Sequence, residues 1–266
     1  MSDPLVELQM NNGVARLTLN RADRRNALSK ELITQLTAAV ETVANDAGVR
    51  LLILTGAGSV FCAGMDLGEM QERAGHPNAR ELWQQDTHAY HDLLAALLQL
   101  RIPTLAVVQG PALAGGMGLL LACDMVLAAD EAFFALPEPK RGITAAVVAP
   151  LLVYRIGPGR ATYLLLSGEN VTAAEALGIG LCHEVTSRDL LDERTAALTG
   201  SILSGAPAAL ARTKQHVMET AGAALFEHLQ VGMQVSAEAR ETDDAREGLA
   251  AFLEKRRPSW PPNDPS

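Results

Sequence analysis

Two runs of β-forming residues, each followed by a glycine turn, constrain the fold of this chain most strongly. The runs are RLLILTG (50–56) and TLAVVQG (104–110), and their apolar residues are continuous rather than alternating. Continuous runs are typical of strands buried on both faces of a parallel sheet. A loop and a helical pattern follow each run, so a strand–glycine–helix unit occurs twice, over 51–70 and 104–122. This alternation predicts an α/β fold with a largely parallel sheet.

Helical patterns fill the intervals between the strands and the end of the chain. Ser29 is placed to cap a helix over 30–45, and a second helix is expected over 81–100. Strands are expected over VARLTLN (14–20), DMVLAAD (124–130) and FFAL (133–136). After about residue 186 the β-rich runs stop, and helices are predicted over 206–220, 224–240 and 243–256, with Asp243 as the N-cap of the last helix and Pro258 at its end.

Composition excludes several classes of protein. The chain has 266 residues, 48% hydrophobic and 20% charged, which is typical of a globular protein. Its net charge of −9 argues against a nucleic-acid partner. The longest apolar run is interrupted by Asp124 and is too short to span a bilayer, and no secretory signal is evident. Cys62, Cys123 and Cys182 indicate free thiols in a reducing compartment, so we expect a soluble cytoplasmic protein without a membrane partner.

The stretch GPALAGGMGLLLACD (110–124) places Gly115, Gly116 and Gly118 at the start of a buried helix. Glycine disfavours helices by about 1 kcal/mol relative to alanine, so the three need a reason. One reason is close packing of the helix against a strand. The other is chemical, because free N–H groups at a helix N-terminus bind an anion or a developing oxyanion. The segment FCAGMDL (61–67) also follows a strand and opens a helix, so one donor from each unit can meet at a single carbonyl oxygen.

Glu138 is the candidate acid or base. It lies in LPEPKRGI (136–143), between two prolines that fix its backbone. A carboxylate held in this way can transfer protons, although a glutamate in such a loop can equally be a solvated surface residue.

Five segments together resemble the crotonase superfamily, the enoyl-CoA hydratases and isomerases of fatty acid metabolism. They are NRADRRNALS, FCAGMDL, GPALAGGMGLLLACD, FALPEPKRGI and LSGENVTAAEALGIGLCHEV, and the resemblance extends from about residue 13 to 256. It implies a spiral of ββα units over 1–200, which binds acyl-CoA and carries the catalytic residues, and a C-terminal helical trimerisation region over 201–266. The expected assembly is a homotrimer or a dimer of trimers.

The resemblance also implies the roles of individual residues. The backbone N–H groups of Met65 and Gly115 would form the oxyanion hole for the thioester carbonyl, and Glu138 would be the general acid or base. The implied substrate-binding residues are Arg24, Arg25, Ala27, Leu28, Ala63, Gly64, Asp66, Leu67, Gly116, Gly118 and Lys255. CoA enters as part of the substrate, and neither a metal nor a redox cofactor is implied.

One position departs from the family pattern. The hydratases with two glutamates carry the first of them where this chain has Gly118, and the second where it has Glu138. A single carboxylate suffices for a double-bond isomerase, which shuttles one proton between C2 and C4. We nevertheless favour a hydratase, because Gly118 with a retained second glutamate also resembles some bacterial hydratases. Asp66 or Glu69 could assist there, although Asp66 is better placed to cap a helix and Glu69 to face solvent.

Other classes of function stay open at this point. Thioester hydrolases and decarboxylases of the superfamily reuse the oxyanion hole. A nicotinamide-dependent dehydrogenase is suggested by Gly56 and Gly58 after a strand, but the third glycine is wrongly spaced. A non-enzymatic acyl-CoA-binding protein would not need Glu138. The six histidines show no HExxH spacing, so no metal site is expected.

Overall fold

The computed structural model describes residues 4–260, whose strands form two sheets. The strands are β1 (Val6–Asn11), β2 (Val14–Leu19), β3 (Leu51–Gly56), β4 (Thr104–Val108), β5 (Ala112–Leu113), β6 (Met125–Ala129), β7 (Phe133–Ala135), β8 (Val171–Thr172) and β9 (Glu184–Thr186). The larger sheet has the order β1-β2-β3-β4-β6-β9, and the smaller one the order β5-β7-β8. In the larger sheet only β1 and β2 pair antiparallel, so the predicted α/β class with a largely parallel sheet is confirmed.

Helices connect and cover these strands. They are α1 (Lys30–Asn45), α2 (Leu67–Ala74), α3 (Ala79–Gln99), α4 (Gly115–Leu121), α5 (Ala149–Ile156), α6 (Pro158–Ser167), α7 (Ala173–Gly178), α8 (Leu191–Ser204), α9 (Pro207–Ala221), α10 (Leu225–Ala239) and α11 (Asp243–Leu253). No helix within residues 4–260 combines the length and the apolar character that a bilayer crossing requires.

Local signals explain most of the predicted boundaries. Ser29 caps α1 as predicted, because its hydroxyl accepts a hydrogen bond from the N–H of Leu32 at 3.2 Å. Every residue of β3 is buried, as expected for a strand covered on both faces. The strands β1, β5, β8 and β9 and the helices α5 to α8 were not predicted.

The end of the chain corrects two predictions. The N-cap of α11 is Thr242, whose hydroxyl accepts from the N–H of Ala245, and not Asp243, which is the first helical residue. Threonine and aspartate are both good N-cap residues, and the N-cap lies one residue earlier than predicted. The helix ends at Leu253 and not at Pro258, because Lys255 already adopts a left-handed backbone conformation with φ 57°.

The C-terminal helices pack on the rest of this chain. Helix α10 lies against α3 and α5, and α11 lies against α2 and the short 3-10 helix Glu138–Arg141. They therefore cover the segment that carries Glu138. The division into 1–200 and 201–266 stays a prediction, and its residues 1–3 and 261–266 lie outside those described.

The sulfur side chains are inert in this fold. Cys62, Cys123 and Cys182 are buried free thiols, as predicted, and burial raises the pKa of the Cys62 thiol to about 12. Within residues 4–260, no three His, Cys, Asp or Glu side chains are grouped in a way that suits a metal ion.

Candidate active site

A buried asparagine shapes the loop that carries the first predicted donor. The Asn26 side chain donates to the carbonyl oxygens of Ala57, Val60 and Phe61, at 2.8 to 3.1 Å. The N–H of Leu28 then donates to the oxygen of Gly64 at 2.8 Å. These bonds fix residues 25–28 alongside residues 63–66, and so place the peptide of Met65.

The second predicted donor begins α4. Ala114 precedes it with φ 50° and ψ −123°, a conformation that side chains rarely adopt, and its N–H donates to Ala135 at 2.9 Å. No side chain caps α4, so the N–H of Gly115 at its first position is left without an intrahelical partner.

The two donor loops touch each other. A Cβ atom built on Gly64 would lie 2.6 Å from the Cβ of Ala114 and 3.1 Å from the nitrogen of Gly115, so only glycine permits this approach. The N–H groups of Met65 and Gly115 donate no hydrogen bond to another described residue, and both residues line one cavity. Two free donors that serve the same cavity can bind a carbonyl oxygen that gains negative charge.

Glu138 lines the same cavity. It opens the short 3-10 helix after Pro137, is only 7% exposed, and its Oε2 atom has no hydrogen-bond partner among the described residues. Burial raises the pKa of Glu138 to about 7, despite the opposing effects of a backbone hydrogen bond and of Arg141. A carboxyl group with this pKa takes up and releases a proton near neutral pH.

Tyr90 occupies the space beside Gly118. A Cβ atom on Gly118 would lie 2.0 Å from the Tyr90 hydroxyl, so no glutamate fits there while Tyr90 keeps its position. The hydroxyl donates to the carbonyl oxygen of Gly115 at 2.5 Å, and burial together with Cys62 and Glu138 raises the pKa of Tyr90 well above 10. Sequence reasoning missed this residue, because it lies in an ordinary helical pattern.

Asp66 and Glu69 do not line the cavity with Glu138. Asp66 caps α2 by accepting from the N–H of Gly68 at 2.9 Å, and it pairs with Arg21 at 2.6 Å. Burial opposes ionisation, but these hydrogen bonds outweigh it and lower the pKa of Asp66. The Glu69 carboxylate accepts from the N–H of Lys30 at 2.9 Å. Neither carboxylate is placed beside Glu138 to hold water.

The predicted substrate-binding residues fall into three groups. The first group is Arg24, Arg25, Ala27 and Leu28 with the loop of Ala63, Gly64, Asp66 and Leu67, where backbone hydrogen bonds join Arg25 to Ala63 and Leu28 to Gly64 and Asp66. Arg24 and Arg25 are exposed. Gly116 and Gly118 are buried in α4, and Gly116 packs tightly against Cys62. Lys255 is exposed after α11 and does not line the cavity. The binding roles of these residues stay predictions.

The inner wall of the cavity combines an apolar segment with two arginines. Residues 143–148 form a mostly apolar wall, and Leu67 and Met70 line the same space. Arg141 and Arg240 also line the cavity, and neither was predicted as a site residue. No sequence signal marks Arg240, because it follows a long amphipathic helix far from the glycine motifs.

Comparisons with known proteins identify the family. The family model described as enoyl-CoA hydratase/isomerase matches residues 9–263. The chain is 35% identical over 261 residues to a 2,3-dehydroadipyl-CoA hydratase of Escherichia coli K12, covering 98% of this chain and 99% of the relative.

Two solved structures share the fold. An enoyl-CoA hydratase from Mycobacterium avium subsp. paratuberculosis K-10 has 31% identity and a TM-score of 0.85, covering 96% of this chain and 98% of that one. An enoyl-CoA hydratase from Bacillus halodurans has 25% identity and a TM-score of 0.87, covering 93% and 99%. Motifs, fold and comparisons therefore agree: the chain belongs to the enoyl-CoA hydratase/isomerase family.

Proposed function

We propose that this protein adds water across the C2=C3 double bond of a 2-enoyl-CoA thioester. One observation carries the proposal: the unpartnered carboxyl oxygen of Glu138 lies in the cavity that the free N–H groups of Met65 and Gly115 also line. Relatives named enoyl-CoA hydratases support the same reaction.

The two N–H groups act on the thioester. Its carbonyl oxygen accepts hydrogen bonds from Met65 and Gly115, and these bonds strengthen as the carbonyl becomes an enolate oxygen. Losing one donor of this kind typically costs about 3–4 kcal/mol of transition-state stabilisation. The Tyr90 hydroxyl binds the carbonyl oxygen of the peptide that follows this donor, and so helps to hold Gly115 at the start of α4.

Glu138 handles the protons. Its ionised form removes a proton from water as the water oxygen bonds to C3, and the C2=C3 electron pair moves into the thioester enolate. Protonated Glu138 then returns a proton to C2, which gives the 3-hydroxyacyl-CoA and regenerates the carboxylate. A pKa of about 7 suits both half-steps.

A second candidate is movement of a double bond between C3 and C2. The observation that favours it is the Tyr90 hydroxyl in the space beside Gly118, which leaves Glu138 without a second carboxylate at that position. The shuttle needs one base and no water. Hydrolysis or decarboxylation of an acyl-CoA is a lesser alternative, and no feature of the cavity favours it.

Two assays separate the main candidates. Crotonyl-CoA is followed by the loss of its conjugated absorbance, and a 3-enoyl-CoA by the gain of that absorbance, with the wild type and Glu138→Gln. We expect hydration of crotonyl-CoA that disappears in the variant. A gain from the 3-enoyl-CoA without hydration would assign the isomerase instead.

Neither reaction requires a metal or a redox cofactor, because only a proton or the elements of water are transferred. CoA is bound as part of the substrate. We place its nucleotide along Arg24, Arg25, Ala27 and Leu28 and its pantetheine arm along the loop 63–67, with Lys255 as a further phosphate contact. The exposure of both arginines supports this path.

We further propose a homotrimer or a dimer of trimers built through the C-terminal helices. No residue of α9 is buried within this chain, and Val217, Val231 and Val235 are 41% to 53% exposed. Light scattering coupled to size-exclusion chromatography tests this assembly, and a monomeric mass would contradict it. A cytoplasmic location fits the three free thiols, and cell fractionation would test it.

A further inference from the structure

Buried hydrogen-bond donors without acceptors gather at the inner end of the active-site cavity. A second, mostly apolar cavity adjoins the first, and the two share Leu67, Met70, Arg141, Ile143 and Arg240 as walls. Trp83 and Leu249 close its far side. An acyl chain that starts at Met65 and Gly115 and passes Glu138 therefore leads toward this inner end.

Arg240 is the most unusual of these groups. Its Nη1 atom is buried and has no hydrogen-bond partner in residues 4–260. The neighbouring carboxylate of Asp86 is bound by Arg73 at 2.7 Å, and Arg73 also pairs with Glu69 at 3.6 Å. Burial lowers the pKa of Arg240 to about 10, with Asp86 opposing and Arg73 adding to the effect, so the guanidinium stays charged at neutral pH. Asp86 attracts both arginines but forms its ion pair with Arg73, so Arg240 has no ion pair of its own within residues 4–260.

Three further donors belong to residues that line one or both of these cavities. The indole Nε1 of Trp83 is buried without an acceptor among the described residues. Arg141 lies 4.4 Å from the centre of the Phe252 ring, and its guanidinium donates no hydrogen bond to a described residue. One turn before Arg240, the buried Ser236 of α10 has a hydroxyl without a hydrogen-bond partner among residues 4–260.

The chemistry of these donors identifies their acceptor. Burying an unpaired cation destabilises the fold. A buried donor without an acceptor also loses its hydrogen bonds to water and gains none in the protein. An acyl chain that ends in a methyl group would supply neither a negative charge for Arg240 nor an acceptor for the donors. A carboxylate supplies acceptor oxygens in the plane that suits a guanidinium, together with the missing negative charge.

We propose that the acyl group of the substrate ends in a carboxylate, which binds Arg240 and Trp83 at the inner end of the cavity with Arg141 nearby. The substrate class is then the 2-enoyl-CoA thioesters of short dicarboxylic acids. The inference rests on the proposed hydration at Glu138, and it adds the identity of the far end of the acyl chain.

A binding experiment tests the inference without requiring turnover. Calorimetry compares glutaryl-, adipyl- and pimelyl-CoA with pentanoyl-, hexanoyl- and heptanoyl-CoA, which are saturated and so are not hydrated. We expect the carboxylate-ended member of at least one pair to bind about tenfold more tightly or better, the size typical of hydrogen bonds to charged groups. Equal or weaker binding of the carboxylate at every length would overturn the inference.

Matched variants assign the preference to the inner donors. Arg240→Met should abolish it while leaving the affinity for the methyl-ended ligand within about threefold, and Trp83→Phe should reduce it. Arg80→Met is the control, because Arg80 pairs with Glu241 at 3.2 Å and is 70% exposed. A preference that survives both inner substitutions would contradict the assignment. Arg240→Lys, which keeps the charge, should retain part of the preference if Arg240→Met folds poorly.

The same ligand pairs distinguish this inference from the proposed reaction. If the 2-enoyl forms are not hydrated but the saturated carboxylate-ended ligands still bind more tightly, the proposed reaction fails and the inner carboxylate site stands. If both kinds of 2-enoyl-CoA are hydrated with equal kcat/KM, the reaction stands and the inference fails.

Discussion

The N-termini of α2 and α4 have similar positions in the fold, but only the N-terminus of α2 is capped by a side chain. Each helix follows a buried strand and a loop, and the loops meet at Gly64 and Ala114. At α2 the Asp66 carboxylate accepts from the first turn at 2.9 Å and from Arg21 at 2.6 Å. At α4 no side chain takes that place. The first N–H groups of α2 are therefore capped by a side chain, whereas the N–H of Gly115 at the start of α4 has no such partner.

The carboxylates near these two helices differ in the same way. Hydrogen bonds hold the pKa of Asp66 below its usual value in spite of burial, whereas burial raises the pKa of Glu138 to about 7. Asp66 accepts hydrogen bonds from several donors, while one oxygen of Glu138 has no hydrogen-bond partner in the described part of the chain. The hydrogen-bonded carboxylate of Asp66 stays ionised near neutral pH. The buried carboxyl group of Glu138, which has fewer hydrogen bonds, can take up and release a proton there.

Removing the unsatisfied carboxylate should have the largest effect. We expect Glu138→Gln to lower kcat for hydration by about 10²- to 10⁴-fold, the range typical of a lost general base, with little change in the affinity for a saturated acyl-CoA. Steady-state kinetics and calorimetry measure the two effects. Glu41→Gln, on the exposed face of α1, is the control. A Glu138→Gln enzyme with near wild-type kcat would break the comparison.

The next effect concerns stability and pH. The folded protein binds the Glu138 proton more tightly than the unfolded chain, in which this glutamate has its ordinary pKa of 4.5. The contribution of this group to stability is therefore complete below about pH 4.5 and is lost as pH rises through about 7, by about 3 kcal/mol in total. Relative to Glu138→Gln, the wild type should lose stability between pH 5 and pH 8 in urea unfolding. A constant difference would show that the pKa is not raised.

Tyr90→Phe should have an intermediate effect. The substitution leaves the buried carbonyl oxygen of Gly115 without its hydroxyl partner, which typically costs about 1–3 kcal/mol. We expect a lower urea midpoint and a fall in kcat, because the first turn of α4, which carries the donor N–H of Gly115, is less well held. Tyr163→Phe is the matched control, because Tyr163 is 61% exposed and its hydroxyl donates to the exposed Glu169 at 2.9 Å. Wild-type kcat in Tyr90→Phe would remove the positioning role.

The smallest effect is expected at the closed helix start. Asp66→Ala should lower the free energy of unfolding by about 0.5–2 kcal/mol, the usual cost of a lost N-cap. Ser29→Ala removes the corresponding cap of α1 and should cost a similar amount. Urea unfolding gives both values. If Asp66→Ala instead abolished turnover at unchanged stability, the start of α2 would also be a catalytic element.

The part of the site that contains Met65, Gly115 and Glu138 could largely be predicted from the sequence. The strand runs, the glycines and the prolines around Glu138 are local signals, and each fixes the backbone within a few residues. Ser29 and β3 lie where such signals place them.

The part of the site that contains Trp83, Tyr90 and Arg240 could not be predicted from local sequence signals. Trp83 and Tyr90 lie on α3 and Arg240 follows α10, and they meet only because these helices pack together. A buried arginine without a partner looks like any helix-end arginine in the sequence. The misplaced cap at Asp243 has a local cause, since Thr242 beside it is an equally good cap.

Oxygen transfer from labelled water tests the central claim most directly. Crotonyl-CoA is incubated in ¹⁸O-enriched water with the wild type and with Glu138→Gln, and the CoA products are analysed by mass spectrometry. We predict that the wild type forms 3-hydroxyacyl-CoA with the label at C3, and that the variant forms it at least about 10²-fold more slowly. Equal rates of labelling in the two proteins, or none with the wild type, would contradict the assignment of Glu138 as the base that activates water.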